Sequence, residues 1–243
     1  MTGRGTLYGV GTGPGDPELM TVKAIRAIEN ADVIVHFAKR GRAGRARRTA
    51  EQWIGPGATE LALHYPVTTE LDHRSDAYRA QIAEFFDHSA ALIRDHLDAA
   101  RSVAILSGGD PLFYGSYMHL HIRLANEFPS VVIPGITAMS GCWSLAGLAM
   151  AQGEDALTVL PGTMEERELS RRLRDSDAAV IMKIGRNLAK IRRALEASGR
   201  LDRAIYVERG TMAEGFQIPL ANKQDDEAPY FSLLLIPGWR VKP

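Results

Sequence analysis

The chain has 243 residues, which is enough for one large domain or two modest ones around a substantial core. It contains 29 basic and 29 acidic residues, and this balance argues against a general nucleic-acid-binding protein. Its single cysteine, Cys142, excludes an internal disulfide and gives no metal-site spacing. No signal-peptide pattern and no apolar run long enough to span a bilayer occurs, so we expect a cytoplasmic protein that does not associate with membranes.

The first half of the sequence alternates strands and helices, with glycine-containing turns between them. Apolar runs predict strands at 6–10, 32–36, 59–63, 103–106 and 131–133. Amphipathic spacing predicts helices over 75–99 and 117–126, and an earlier helix capped by Asp16 with an apolar stripe of Leu19, Val22, Ile25 and Ile28. This order of elements predicts a parallel sheet whose strands are joined by helical crossovers.

The second half is predicted to open with a helix that extends to Ala149. Thr137 precedes this helix and would act as its cap or contact a ligand. Strands are then predicted at 156–160, 178–183 and 204–208, and helices at 165–174 and 188–197. Residues 210–220 have the pattern of a hairpin, and 230–236 the pattern of a final strand. The sequence therefore predicts two unlike α/β domains, 1–135 with a mainly parallel sheet and 136–243 with a mixed sheet.

Three turns rich in glycine and proline follow predicted strands, at 11–17, 107–116 and 134–138. Open α/β sheets bind their ligands where the strands end at the carboxyl edge. In the turn at 107–116 the glycines let the backbone approach a ligand, and Asp110 offers an acceptor for a cation or a hydroxyl group. An ordinary strand-to-helix turn with a helix cap explains the same residues, so both interpretations are open at this point.

The familiar phosphate-binding and catalytic motifs do not fit these turns. The dinucleotide fingerprint requires a glycine where this sequence has Asp16, and no Walker lysine follows the first turn. The chain has no G-x-S-x-G motif and no H-E-x-x-H motif. His119 and His121 fall on different faces of the predicted helix, which argues against a shared metal ion. We predict no metal site, and the sequence assigns no catalytic acid or base.

A basic segment lies between the second and third predicted strands, with six basic residues among the ten from Lys39 to Arg48. A solvated helix and loop surface is the common explanation of such a run, and a binding site for a polyanion is the alternative. The segment Tyr65-Pro66-Val67-Thr68-Thr69, after the third strand, has the polar, proline-stiffened character of a loop near a site.

The three turns occur in the order and at the spacing of the tetrapyrrole methyltransferases, which the sequence resembles over nearly its whole length. The strings that carry the resemblance are Gly11-Thr12-Gly13-Pro14-Gly15-Asp16-Pro17-Glu18-Leu19, Gly109-Asp110-Pro111 and Pro134-Gly135-Ile136-Thr137-Ala138. Within that family, the strings at 65–69, 113–124 and 182–187 are most similar to the enzymes that methylate C-20 of precorrin-2. At Ser107-Gly108 those enzymes have Cys-Glu, and here the sequence is similar to the uroporphyrinogen methyltransferases instead.

The resemblance implies two unlike α/β domains with a ligand cleft between them, and S-adenosylmethionine as cofactor. The residues that would hold the cofactor are Gly108, Gly109, Asp110, Leu112, Phe113, Thr137, Ala138, Met182, Ala213 and Ser232. The residues that would face the tetrapyrrole are Gly11, Gly13, Pro14, Gly15, Asp16, Tyr114, Arg42 and Arg45. Because the substrate is a polycarboxylate, Arg42, Arg45, Arg47 and Arg48 would also guide it electrostatically.

The resemblance further implies a homodimer that methylates precorrin-2 to precorrin-3A. Two alternatives are open: a sister enzyme that methylates another ring position, and a module that binds a tetrapyrrole without turnover. Met182 is also explained as a core residue, since methionine commonly fills irregular gaps in a core.

Overall fold

A computed structural model describes residues 3–39, 41–66 and 75–238 of the chain. The chain folds into two compact units, Met1–Thr137 and Ala138–Pro243. Two parts of the sequence predictions, Arg40 in the basic segment and 67–69 in the loop after the third strand, lie outside the described residues.

The first unit contains a five-stranded parallel sheet. Its strands are β1 (Leu7–Gly11), β2 (Val33–Ala38), β3 (Thr59–His64), β4 (Val103–Ser107) and β5 (Ser130–Ile133). They are arranged in the order β3-β2-β4-β1-β5, and every neighbouring pair is parallel. This confirms the predicted parallel sheet. Because all five strands run in the same direction, the turns that follow them lie at one edge, which we call the carboxyl edge.

Helices cover both faces of this sheet. They are α1 (Val22–Glu29), α2 (Arg45–Ala50), α3 (Asp76–Asp98) and α4 (Tyr117–Leu124). The alternation of side chains along β2 shows how the faces divide. Val33 and Val35 belong to the core that α3 and α4 cover, whereas Ile34 belongs to the core beneath α1 and α2.

The helix predicted to start at Asp16 is divided in two, so this prediction is wrong in part. Asp16 Oδ1 accepts a hydrogen bond from the Glu18 amide at 2.9 Å, but only a single 3-10 turn follows, Pro17–Leu19. Thr21 then caps α1 by accepting from the Ala24 amide at 3.1 Å. The break rotates the later residues relative to the expected stripe. Val22 is consequently exposed.

The second unit contains a mixed five-stranded sheet. Its strands are β6 (Leu157–Pro161), β7 (Ala178–Met182), β8 (Ile205–Glu208), β9 (Phe216–Pro219) and β10 (Ser232–Ile236). Their order is β6-β7-β10-β8-β9; β6 and β7 are parallel, and the other three pairs are antiparallel. The mixed sheet is confirmed. The predicted hairpin within 210–220 is corrected, because β9 pairs with β8 and residues 209–215 connect the two.

Three helices pack on this second sheet, α5 (Ala138–Leu145), α6 (Glu166–Asp175) and α7 (Leu188–Ala197). Ile181 of β7 faces the core under α6 and α7, and its neighbour Val180 faces the core under α5. The helix predicted to reach Ala149 ends four residues earlier, at Leu145.

Candidate active site

The glycine turns of the first unit meet at its carboxyl edge. β1 and β4 are neighbours in the sheet, and the chain leaves them toward opposite faces, into α1 and α4. Such a switch in direction is where open α/β sheets bind ligands. Here the two turns are hydrogen-bonded to each other: the Gly109 amide donates to the Gly13 carbonyl at 2.7 Å, and the Thr12 amide donates to the Ser107 carbonyl at 2.8 Å.

Glycine is required at this edge because the backbones of three turns touch. A Cβ atom on Gly11 would lie 2.5 Å from the Gly135 amide nitrogen and 2.8 Å from the Gly109 carbonyl oxygen. A Cβ atom on Gly135 would overlap that same carbonyl oxygen. Gly109 also has a φ of +71°, a conformation that favours glycine. The turns after β1, β4 and β5 therefore form one packed backbone layer, which we call the glycine layer.

Asp110 joins two of these turns. Its Oδ1 accepts a hydrogen bond from the Leu112 amide at 2.9 Å, and its Oδ2 accepts one from the Gly135 amide at 3.2 Å. We expected this carboxylate to be an acceptor for a ligand cation or hydroxyl group. In the structure both of its oxygens already accept backbone donors, so its first role is to fix the turn after β4 against the turn after β5.

Ser107 and Gly108 have a different character from the glycine layer. Ser107 is only 5% exposed, and its Oγ has no hydrogen-bond partner within the part of the chain that the structure describes. Gly108 is exposed, and a Cβ atom on it would meet nothing within 4 Å. A buried hydroxyl group without a partner is unfavourable unless a ligand or water satisfies it. Sequence reasoning treated Ser107 only as a departure from a family string, since the partners of a serine cannot be read from its neighbours.

Apolar side chains surround this opening. Leu112 and Tyr114 are about half exposed, although both are large and hydrophobic, and the Phe113 ring meets the Tyr114 ring edge-on at 4.8 Å. Tyr114 has a φ of +54°, which is uncommon for a residue with a Cβ atom. The turn after β4 thus presents exposed apolar surface next to accessible backbone, as ligand sites commonly do.

In the second unit, three of the four predicted cofactor residues lie near one edge of the mixed sheet. Met182 is the last residue of β7, Ala213 lies in the connection after β8, and Ser232 is the first residue of β10. β10 is antiparallel to both β7 and β8, so it starts at the edge where those two strands end. Ser232 pairs with Glu208, and its hydroxyl donates to the Pro229 carbonyl at 2.6 Å.

Residues 6–220 match the model of a protein family, the tetrapyrrole (corrin/porphyrin) methylases. The chain belongs to this family. The sequence is 65% identical to the precorrin-2 C(20)-methyltransferase of a Sinorhizobium species over 241 residues, which are 99% of this chain and 98% of that relative. The resemblance stated from the glycine turns is thereby confirmed.

Two solved structures have the same fold as this methylase. A cobalt precorrin-4 methyltransferase superposes with a TM-score of 0.73 over 96% of this chain and 94% of its own, at 18% identity. A uroporphyrin-III C-methyltransferase from Thermus thermophilus, complexed with S-adenosylhomocysteine, gives a TM-score of 0.66 over 95% of this chain and 97% of its own, at 22% identity. The architecture of two unlike α/β units is thus that of known tetrapyrrole methyltransferases.

The basic segment of the methylase separates into two kinds of arginine. Arg47 donates two hydrogen bonds to Glu60, at 2.7 and 3.0 Å, and one to Glu51 at 2.7 Å. These bonds hold the pKa of Glu60 below its ordinary range. Arg42 and Arg45 are exposed on the loop and helix that follow β2. Arg47 is therefore a structural residue, and the guiding role expected for it is not favoured by this arrangement.

The two histidines of α4 have separate contacts. His121 Nδ1 lies 3.0 Å from the Tyr117 hydroxyl, and His119 stacks on Phe86 with ring centroids 4.3 Å apart. Burial raises the pKa of Tyr117 to about 12, and its ring occupies the space next to Gly9 where a Cβ atom would otherwise be. These contacts position α4 against the sheet.

Tyr65 connects the loop after β3 to the turn after β4. Its hydroxyl group is hydrogen-bonded to Ser116 Oγ, directly before α4. Its ring packs against Phe37 and Phe85, with centroid separations of 5.6 and 5.0 Å. The described start of this loop therefore supports the turn that carries Tyr114.

The remaining predicted site residues occupy the ends of turns. Gly15 has a φ of +135° beside Asp16, whose carboxylate caps the 3-10 turn. Thr137 and Ala138 lie where the first unit ends and the second begins. Across residues 3–39, 41–66 and 75–238, no group of three or more His, Cys, Asp or Glu side chains is placed to hold a metal ion. Over the same ranges, no helix combines the length and the apolar character that crossing a membrane requires.

Proposed function

We propose that this protein transfers a methyl group from S-adenosylmethionine to C-20 of precorrin-2, which gives precorrin-3A in cobalamin biosynthesis. The observation that carries the proposal is the alignment with a precorrin-2 C(20)-methyltransferase, which spans nearly all of both chains. Membership of the tetrapyrrole methylase family agrees with it. The chain is accordingly a C-methyltransferase.

The turn after β4 fits S-adenosylmethionine better than it fits a phosphate cofactor. The exposed backbone at Gly108 has open space beside it, and Ser107 Oγ is a buried hydroxyl group without a partner among the described residues. A sulfonium cation has no phosphates, so carbonyl and hydroxyl oxygens suit it better than a nest of backbone amides. When bound, S-adenosylmethionine supplies an activated methyl group. In the first unit the cofactor residues are Gly108, Gly109, Asp110, Leu112, Phe113 and Thr137.

In the second unit the proposed cofactor residues are Ala138, Met182, Ala213 and Ser232. Three of them lie at or next to the edge where β7 and β8 end and β10 begins. A cofactor bound to these residues would contact backbone and short side chains, since only Met182 has a long side chain. It is half-buried against the core under α5.

The tetrapyrrole would be bound by the first turn, by the exposed ring of Tyr114 and by exposed cations of the basic segment. The residues proposed for this role are Gly11, Gly13, Pro14, Gly15, Asp16, Tyr114, Arg42 and Arg45. The substrate is a polycarboxylate, so exposed arginines attract it at long range and its on-rate should decrease as salt is added.

The chain's part in the reaction is to bind and orient. The glycine layer fixes the turn that carries Gly108, and Leu112 and Phe113 on the same turn offer apolar surface that would exclude water once a ligand is bound. Orientation and exclusion of water can lower a methyl-transfer barrier by roughly 7–11 kcal/mol when both reactants are held in a reactive geometry.

Incubation of the protein with S-adenosylmethionine and precorrin-2 tests this function. Mass spectrometry should show the gain of one methyl group, and carbon NMR should place it at C-20. A methyl group at another carbon would identify a sister activity. No gain in mass would reject the enzyme assignment.

The hydroxyl of Ser107 allows a test of the cofactor site with a matched control. Ser107→Ala should weaken S-adenosylhomocysteine binding about fivefold in calorimetry, because one hydrogen bond contributes about 1 kcal/mol. Ser170 also has a buried Oγ without a partner among the described residues, but it lies on α6. Ser170→Ala should leave the affinity unchanged. Equal affinities for both variants and the wild type would contradict the role of Ser107.

We also propose that the methylase is a cytoplasmic homodimer. The support for this is the resemblance to the tetrapyrrole methyltransferases, which implies the same assembly. Light scattering on the purified protein should give twice the chain mass of 26.6 kDa. A mass of one chain at micromolar concentration would contradict the dimer.

A further inference from the structure

Ser116 stands at the N-cap position of α4, but its side chain does not cap the helix. A serine at this position usually accepts a hydrogen bond from an amide of the first helical turn. Here the His119 amide donates to the main-chain carbonyl of Ser116 at 3.2 Å, and the Ser116 hydroxyl is hydrogen-bonded to the Tyr65 hydroxyl. Tyr65 belongs to the loop after β3. The serine side chain therefore joins two loops instead of capping its own helix.

The ring of Tyr65 is held by two other aromatic rings. It stacks on Phe37 with a centroid separation of 5.6 Å and contacts Phe85 at 5.0 Å. Phe37 lies in β2 and Phe85 lies in α3, so the Tyr65 ring is fixed relative to both the sheet and a helix that covers it. The Tyr65 hydroxyl group is thus a fixed point to which the turn after β4 is attached.

The turn after β4 is held at both of its ends. Asp110 joins its beginning to the turn after β5, and Ser116 joins its end to Tyr65. Between these attachments, Tyr114 is 46% exposed and has a φ of +54°. A residue with a Cβ atom keeps this conformation only where the surrounding structure determines it. The two attachments therefore fix the place of an exposed aromatic ring.

We infer that Tyr65 is a positioning residue for the tetrapyrrole, because its hydrogen bond to Ser116 fixes the Tyr114 ring where the substrate binds. The inference rests on the proposed function, in which Tyr114 faces the tetrapyrrole. The Tyr65 hydroxyl group acts through Ser116 and not by touching the substrate. Since Asp110 holds the other end of the turn, loss of the Tyr65 bond should affect binding of the tetrapyrrole and leave binding of the cofactor unchanged.

Two substitutions break the bond from opposite sides. Tyr65→Phe keeps the ring among its aromatic neighbours and removes only the hydroxyl group, and Ser116→Ala removes the partner. Each variant should increase the KM for precorrin-2 about fivefold, the change that one hydrogen bond commonly contributes. The value of kcat and the calorimetric affinity for S-adenosylhomocysteine should not change, since only substrate binding is weakened. Ser116→Thr keeps a hydroxyl group and should retain the wild-type KM.

The double variant Tyr65→Phe, Ser116→Ala decides whether Tyr65 acts through Ser116. If it does, the second substitution has no further effect, and the double variant should have the same KM as either single variant. If the two effects add, the Tyr65 hydroxyl contacts the substrate itself, and the positioning role is rejected. A wild-type KM in all three variants would reject it as well.

The second unit provides a matched control. The Ser176 hydroxyl donates to Thr158 Oγ1 at 2.7 Å, which joins the end of α6 to β6. Ser176→Ala therefore breaks a bond between two hydroxyl groups away from the turn after β4. It should leave the KM for precorrin-2 unchanged. An increase equal to that of Ser116→Ala would show that the loss of any such bond raises KM, and would overturn the inference.

Hydrogen exchange separates failure of the inference from failure of the proposed function, because it needs no substrate. Exchange over residues 112–119 should be faster in Tyr65→Phe and in Ser116→Ala than in the wild type. Should the wild type methylate precorrin-2 at C-20 while both variants keep its KM and its exchange rates, the positioning role is rejected and the function stands. Should the wild type transfer no methyl group, the proposed function fails, and the substrate role of Tyr65 fails with it.

Discussion

The two sheets of this methylase end in edges that are built in opposite ways. At the carboxyl edge of the first sheet, Gly11 and Gly135 are packed against each other and against the Gly109 carbonyl group, with no room for a Cβ atom on either of them. At the edge of the second sheet where β7 and β8 end, Lys183 and Arg209 adopt a conformation suited to glycine but carry long charged side chains.

This difference shows that positive φ and glycine are separate requirements. In the first unit the residue type follows from contact, since any Cβ atom would overlap a neighbouring turn. In the second unit Lys183 and Arg209 have a positive φ, as Gly109 does in the first, yet both carry side chains. Substitutions inside the glycine layer should therefore change folding, whereas substitutions at exposed residues beside it should change binding. The predictions below test that distinction.

The largest effect is expected for Gly135→Ala. The added methyl group would overlap the Gly109 carbonyl oxygen and lie 2.9 Å from the Gly11 Cα atom, and neither is a flexible group. We expect a loss of about 3 kcal/mol or more in the free energy of unfolding, measured by urea denaturation. A variant as stable as the wild type would show that the three turns do not pack as one layer.

A smaller loss is expected for Asp110→Ala. It removes both acceptors that join the turns after β4 and β5, at Leu112 and Gly135. The free energy of unfolding should decrease by about 2 kcal/mol, the usual contribution of a hydrogen bond to a charged group. Asp110→Asn keeps one acceptor and should recover part of the loss. If Asp110→Ala keeps full stability but binds no S-adenosylhomocysteine, Asp110 binds the ligand and is not needed to hold the two turns together.

In the basic segment, too, one substitution should change stability and another should change substrate binding. Arg47→Ala should decrease the free energy of unfolding by about 1 kcal/mol, because Arg47 is a partly exposed partner of Glu60 and Glu51. Its KM for precorrin-2 should not change. Arg42→Ala should instead keep stability and increase the KM for precorrin-2 at low salt, because Arg42 is exposed. A higher KM for Arg47→Ala, together with a loss of stability for the Arg42 variant, would contradict these separate roles.

A pH test separates the two units. All seven histidines lie in the first unit, and burial holds the pKa values of His36, His96 and His119 below the ordinary 6.5. At pH values between the folded-state and unfolded-state pKa of these histidines, the unfolded chain binds more protons than the folded chain. The free energy of unfolding therefore decreases as pH falls below about 6.5. The carboxylates with lowered pKa values affect the free energy of unfolding only below about pH 4.5.

Hydrogen exchange at pH 7 and pH 5.5 measures this effect unit by unit. After correction for intrinsic exchange rates, protection in β1 to β5 should decrease at the lower pH, whereas protection in β6 to β10 should be unchanged. His36→Gln should reduce the change in the first unit. An equal decrease in both units would contradict the assignment to histidine.

The elements of the fold could be predicted from local sequence because local residues determine them. The apolar run before Ser107 and the apolar run at 131–133 each specify a strand whatever lies beside it. Parallel pairing in the first sheet follows from the order of strands, turns and helices. The break before α1 could not be predicted in this way, since Asp16 and Thr21 both resemble helix caps. Only the extended conformation of Met20 between them shows that the 3-10 turn and α1 are separate.

The candidate site was only partly predictable. The glycine turns are visible in the sequence, but the contacts that use them join residues about a hundred positions apart, such as Gly11 and Gly109. The same limit applies to Arg47, whose partner Glu60 is fixed by the position of β3. Ser107 shows the limit most clearly, because a hydroxyl group without a partner is defined by what surrounds it in space.

The smallest effect on folding is expected for Gly108→Ala, one residue before the glycine layer. A Cβ atom there meets no atom within 4 Å, so the free energy of unfolding should stay within about 0.5 kcal/mol of the wild type. If the open space beside Gly108 receives the cofactor, the added methyl group should nevertheless weaken S-adenosylhomocysteine binding. Unchanged affinity with unchanged stability would place the cofactor elsewhere along the turn. Weaker binding without any loss of stability would show that the layer ends at Gly109 and that the ligand surface begins at Gly108.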